Sequence, residues 1–186
     1  MKFWDMNSCA NVFSSDAFSD KVTLGLWDAS RESCVIGATA DGKIHHFDAR
    51  AKNSSRTLQL KNTEVECAIQ LGDQLLIGTE AGTLVRVDLG SMKLLPGPKV
   101  AVHSKAVMGL AAVADDKIVT AGADGVMKCL NLSNLESVSE VKTKVGQLFG
   151  ASVCPHDPYL VAFGSSEGEA VIWNVENIIK NKSTSV

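Results

Sequence analysis

Ala40-Asp41-Gly42-Lys43-Ile44-His45-His46-Phe47-Asp48 is the stretch on which the fold turns. Asp41-Gly42 suits a tight hairpin turn, because glycine accepts a positive φ at little steric cost. Cys34 to Thr39 before it and Lys43 to Asp48 after it read as two paired strands, rich in apolar and β-branched residues. Six residues beyond the glycine stands Asp48, directly behind the large apolar Phe47. The same phrase returns at Gly82, Gly125 and Gly168, each followed six residues later by Asp88, Asn131 and Asn174, behind Val87, Leu130 and Trp173. The glycines are 40, 43 and 43 residues apart, and Trp4-Asp5 lies 43 residues ahead of Phe47-Asp48 in the same phase.

Working outward, each phrase sits inside a run of short strands. Val22 to Trp27 precedes the first hairpin and Arg56 to Leu60 follows it as a fourth strand. The order recurs as Val65 to Leu71, Gln74 to Thr79 and Thr83 to Asp88, then as Val107 to Val113, Lys117 to Gly122 and Val126 to Asn131. A last unit runs Leu148 to Val153, Tyr159 to Gly164 and Glu169 to Asn174. Short antiparallel strands in units of about 40 to 45 residues, closing on an apolar-Asp pair, are the signature of β-propeller blades. The expected organisation is a remnant of a preceding blade at 1–14, blades at 15–61, 62–104, 105–142 and 143–176, and a flexible tail at 177–186. Four blades are too few for a complete ring of ordinary size. The open ends are therefore expected to make the chain associate with itself or with a partner.

The chain has 186 residues, 45% hydrophobic and 21% charged, with a formal charge of −3, which argues against disorder. No apolar run approaches a membrane span and Asp5 interrupts any secretory signal, so the sequence reads as soluble and intracellular. Cys9, Cys34, Cys67, Cys129 and Cys154 are odd in number and unpaired in spacing, which favours reduced, buried thiols.

His103, with Val107 to Leu110 behind it, resembles the His-containing strand entry of the WD40 repeat family, and the resemblance extends over essentially the whole chain. It implies a hydrogen-bonded network of His103 with Thr120 and Asp124, with Leu130 in place of the family's Trp. Phe18, Lys61 and Lys144 hold the His position in the other units, so those blades are expected to rest on apolar packing more than on buried polar networks. Trp4, Asp5, Phe47, Asp48, Asp88, His103, Asp124 and Trp173 are the structural blade positions. The run Gly146 to Phe149, Cys154-Pro155, Ala162-Phe163-Gly164 and Val171-Ile172-Trp173, with Asp41-Gly42 and Asp48-Ala49-Arg50 upstream, is similar to the C-terminal blades of the periodic tryptophan protein 1 family. That resemblance implies the C-terminal half of a seven-bladed ring and a non-catalytic scaffold for large ribosomal subunit assembly in the nucleus and nucleolus. Its alternative is a chromatin protein that binds histone tails, which would want an acidic or aromatic cage at the propeller mouth.

No catalytic, cofactor or metal site emerges from the sequence. His45 and His46 are neighbours on a strand and point to opposite faces, so they cannot share one metal. Cys154-Pro155-His156 has no second ligand pair at zinc-like spacing and reads as a turn. Phosphate-loop and nucleophile-elbow motifs are missing from the sequence. Charge is more informative: Lys43, Arg50, Lys52, Arg56 and Lys61 face one acid, Asp48, across nineteen positions. Arg50, Lys52 and Arg56 are candidates for contact with RNA phosphates or an acidic protein segment, set against the plainer reading of a solvated loop that guards an edge strand. No aromatic residue interleaves with them in the sequence, which does not support base stacking.

Overall fold

The computed structural model describes residues 2–14, 18–51, 55–96 and 100–180. Its strands form successive antiparallel sheets, each built from consecutive chain segments. A hairpin of β1 (Lys2–Asp5) and β2 (Ala10–Ser14) comes first. The first blade follows, with β3 (Val22–Trp27), β4 (Cys34–Thr39), β5 (Lys43–Asp48) and β6 (Ser55–Gln59) in sequential order. The second holds β7 (Val65–Leu71), β8 (Gln74–Thr79) and β9 (Thr83–Asp88), and its outer strand is split into β10 (Lys93–Leu94) and β11 (Val100–Ala101), both paired to β9. The third is β12 (Val107–Val113), β13 (Lys117–Gly122), β14 (Val126–Asn131) and β15 (Ser137–Lys142). The last has three strands, β16 (Leu148–Cys154), β17 (Asp157–Ser165) and β18 (Ala170–Asn174), followed by helix α1 (Glu176–Lys180). The chain is all-β in class, made of propeller-like blades that do not close into a ring.

The turn phrase does the local work. Gly42, Gly82, Gly125 and Gly168 have φ between +74° and +80°. At Gly82 a side chain is excluded twice over, since a Cβ there would sit 2.1 Å from the His103 carbonyl oxygen. After the turn, residues alternate between the two faces of the third strand. The fifth residue past the glycine faces the preceding blade: Phe47, Val87, Leu130 and Trp173 are all buried. Trp4 holds the equivalent place on β1 and is 57% exposed.

The fourth residue past the glycine faces the following blade. His46 and Cys129 are buried there and Arg86 is half-buried, whereas Ile172, which meets no further sheet among the described residues, is 71% exposed. The hydrophobic cores accordingly lie in the seams. Ile36 and Ile44 meet Val65 and Val87; Leu76 and Leu84 meet Val107 and Leu130; Val119 and Cys129 meet Leu148 and Trp173. Each fully buried aliphatic side chain of this kind contributes roughly 1.5–3 kcal/mol. The first strands of successive blades are neighbours, β3 with β7, β7 with β12 and β12 with β16, which places them on the side nearest the common axis. β3, β7 and β12 carry the same irregularity near their start, a register shift that leaves one residue unpaired, and β16 skips two residues between Phe149 and Ser152.

Two expectations need adjusting. The fourth strand of the first blade runs Ser55–Gln59 and not Arg56 to Leu60. Residues 177–180 lie in α1, whose Ile179 is 2% exposed against the last seam, while 181–186 lie outside the described residues.

Candidate interaction surface

At Asp5, Asp48, Asp88 and Asn174 the residue that closes the phrase caps the turn behind it. Asp5 accepts the backbone N–H groups of Asn7 and Ser8, both at 2.8 Å, and Asp48 accepts that of Arg50 at 2.8 Å. Asp88 takes the Ser91 N–H at 2.7 Å and its hydroxyl at 2.6 Å. Asn174 performs the equivalent task for α1, accepting the Glu176 N–H at 2.8 Å. A short polar side chain that accepts two or three residues ahead is what the position requires, so Asp and Asn are interchangeable there.

In the third blade His103 is buried between two partners. Its Nδ1 lies 3.1 Å from Asp124 Oδ1 and its Nε2 2.7 Å from Thr120 Oγ1. An ionised carboxylate only accepts, so Nδ1–H donates to Asp124 and Nε2 accepts from the Thr120 hydroxyl. Burial holds the His103 pKa below its ordinary value against the opposing pull of Asp124. Asp124 also takes the Ser104 N–H at 2.9 Å.

A second buried network joins the first two blades, and sequence reasoning did not find it. The Asp28 carboxylate is fully buried, and its Oδ1 accepts the Ser30 N–H and the Gln70 side-chain amide, both at 2.8 Å. Its Oδ2 accepts Arg31 at 2.9 Å and His46 Nε2 at 2.8 Å. Burial pushes this carboxyl upward, but the donors of Gln70, Ser30, Arg31 and His46 together hold it well below the usual carboxylate range. The other ring nitrogen of His46 lies 2.7 Å from the Arg56 guanidinium, a pure donor, so His46 carries its proton on Nε2, the opposite tautomer to His103. Arg56 reaches on to the Gly90 carbonyl of the second blade. These blades therefore share a buried polar seam as well as an apolar one.

That network changes the meaning of the basic loop. Arg56 remains exposed while its guanidinium bonds the His46 ring. Arg50 is 61% exposed but is flanked by Asp48 at 3.5 Å and Glu32 at 3.6 Å. Lys52 lies outside the described residues. Arg50 is thus flanked by acids, whereas the exposed Arg56 bonds the neutral His46 ring and the Gly90 carbonyl and keeps its full charge. Folding does bring Arg50 beside aromatic rings, however: with Lys2 it borders a cavity of about 590 Å³ walled by Phe3, Trp4, Phe13 and Trp27. The Phe3 ring lies 5.5 Å from that of Phe13, its partner in the β1–β2 hairpin, and meets Trp27 of β3 edge-on at 5.8 Å.

Among the described residues no group of three or more His, Cys, Asp or Glu is placed to hold a metal, and no helix is long and apolar enough to cross a membrane. His46 is buried while His45 lies against Phe18 on the other face, ring centroids 4.7 Å apart. All five cysteines are free thiols. Cys129 is buried, but Cys9 is exposed in the β1–β2 turn, which corrects the expectation that the thiols are buried. Burial pushes the Cys67 thiol up to about 12, and it donates to the Val107 carbonyl.

The ends of the assembly expose apolar surface, with Trp4 and Val12 at one and Phe149 and Ile172 at the other. Among the described residues β18 is hydrogen-bonded to β17 alone, so its outer edge offers free backbone groups. The backbone overlays a chain in the crystal structure of the mitotic checkpoint complex with a TM-score of 0.79 at 19% identity, over 92% of this chain and 53% of that one. The chain is WD40-like in fold. The WD40-like blades also match the computationally designed Ika4 protein, with a TM-score of 0.71 at 18% identity, over 87% of this chain and 95% of that one. In sequence the chain is 26% identical over 195 residues to the periodic tryptophan protein 1 homolog of Drosophila melanogaster, a match that covers 97% of this chain. It spans 42% of the length of that curated relative. No family model matches it.

Proposed function

We propose that this chain is a non-catalytic protein-interaction scaffold that serves assembly of the large ribosomal subunit in the nucleolus. The observation that carries the reading is the similarity to periodic tryptophan protein 1 homolog along 97% of the chain, on top of a WD40-like fold. Rigid sheets with loops at both rims suit such a task, because the elements behind the loops do not move when a partner docks. The exposed apolar ends and the free edge of β18 add surface at which the chain meets a partner or a second copy.

A chromatin role is the second reading, and one observation favours it. On the axial strand β7 the Glu66 carboxyl is held above its ordinary range by burial, reinforced by the charges of Glu64 and Glu80, so acidic groups gather where a basic tail would approach. Affinity purification of the tagged chain from nuclear extract separates the two. Large-subunit precursors should co-purify; recovery of nucleosomes without those precursors overturns the ribosomal reading. Catalytic turnover abolished by a single substitution would overturn the scaffold reading altogether.

A further inference from the structure

The seam between the second and third blades contains a charge that the fold does not explain. Arg86 occupies the position that faces the next blade, half-buried, and donates to the Leu132 carbonyl. Among the described residues no carboxylate lies within pairing distance of its guanidinium; Asp116 borders an adjoining hollow with Arg86 without reaching it. The other seams resolve the same position differently, with His46 bonded to Asp28 in one and the uncharged Cys129 in the other. Arg86 uses one of its five N–H donors in that bond and opens onto a cavity of about 540 Å³. The remaining walls are largely apolar, from Leu84, Leu94, Leu95, Pro96 and Leu135, and the volume falls in the range of sites that hold a side chain or small ligand. The cavity lies where β10 and β11 pair with the two ends of β9, Lys93–Leu94 with Asp88 and Val87 and Val100–Ala101 with Leu84 and Thr83.

We propose that this cavity binds a protein segment in which one carboxylate side chain is flanked by apolar residues. The carboxylate pairs with Arg86 in a charge-assisted contact, and the flanking side chains cover the leucines and Pro96. A planar guanidinium matches a carboxylate in a two-point contact, and the half-buried setting strengthens it relative to an exposed pair. This assignment rests on the reading of the chain as an interaction scaffold. Its test uses the isolated chain, so a failed purification from cells and a failed titration are separate results.

The probe is the capped peptide acetyl-Ala-Leu-Glu-Leu-Ala-amide, titrated into the isotope-labelled chain and followed by amide NMR shifts. Shifts at residues 84–86, 94–95 and 134–135 are expected, with the Gln version of the peptide and the Arg86→Met chain each binding at least about tenfold more weakly. Leu94→Glu, which sets a carboxylate at the exposed mouth of the cavity, should abolish binding and serves as the working variant if Arg86→Met fails to fold. No shift at about 5 mM peptide, or equal binding of the Gln peptide, overturns the proposal. So does a short single-stranded RNA that shifts the same amides and displaces the peptide, because Arg86 would then be a phosphate contact.

Discussion

Asp28→Asn should be among the costliest single-atom changes in this chain. The substitution keeps the shape of the side chain but replaces one acceptor oxygen with an NH2 group. Either orientation fails: on one side the amide faces the Ser30 N–H and Gln70, and on the other it faces Arg31 and His46. Two buried donors lose their acceptor, at about 1–1.5 kcal/mol each, and Arg31 loses the charge it was paired with. The sum is about 3 kcal/mol, which for a chain of this size lowers the melting temperature by about 6–12 °C. Asp73→Asn, at the exposed partner of Arg31, is the control and should change stability by less than about 0.5 kcal/mol. The pH dependence supplies an independent check. The folded pKa of Asp28 is depressed, so its contribution is complete above the unfolded value and is lost as pH falls through the folded one. The gap in melting temperature between wild type and Asp28→Asn should therefore narrow as pH drops below about 4. Scanning calorimetry or circular dichroism from pH 7 to 3.5 measures both quantities. A gap under about 2 °C at neutral pH, or one that stays constant in acid, refutes the reasoning.

Three further outcomes are expected. His103→Gln should cost about 2 kcal/mol by removing the bond to Asp124, and it should flatten the loss of stability that wild type shows as pH falls below about 6.5. In wild type the unfolded chain takes up that proton first, because the folded pKa is lowered; unchanged pH profiles for the two proteins would contradict this. Gly82→Ala should destabilise by more than about 3 kcal/mol in urea melts, whereas Gly72→Ala, with φ +60° and open space around it, should cost only about 1 kcal/mol; equal costs would be inconsistent with a filled turn at Gly82. Wild type should sediment with concentration-dependent self-association that Ile172→Lys shifts toward the monomer, and a wild type that stays monomeric with a melting temperature independent of concentration would rule out association through the open face.

The fold was legible because its signal is repeated and local. A glycine that must adopt positive φ, followed at fixed distance by an Asp or Asn, marks every third strand, and three-strand hairpins assemble around it. Outer strands were harder. β10 and β11 are two residues each, and β15, Ser-Val-Ser-Glu-Val-Lys, lies on an outer edge where polar residues blur the alternation. The Thr120 and Asp124 partners of His103 could be named because a motif carries them. The Asp28 network could not, since Asp28 and Gln70 sit in no repeated phrase and are 42 residues apart. One clue was available: in a β5–β6 hairpin His46 pairs with Arg56, so setting that register would have given the surface arginine a partner. The aromatic cavity beside Arg50 was invisible for a similar reason, because Phe3, Phe13 and Trp27 reach it from separate strands.

The residue four places beyond each turn glycine acts as an address label. It reads histidine, arginine, cysteine and isoleucine along the chain, and the three later blades each carry the complement to one of these: Gln70 and Gly90 toward the Asp28–His46–Arg56 group, the Leu132 carbonyl toward Arg86, Leu148 and Phe163 toward Cys129. Shuffling two blades, by duplication or by permuting the order of the repeats, would set a guanidinium against an apolar wall or take the Gln70 amide away from Asp28, at several kcal/mol per seam. Sheets that look interchangeable in backbone are thus keyed to one order, and the last label, Ile172, asks for an apolar neighbour.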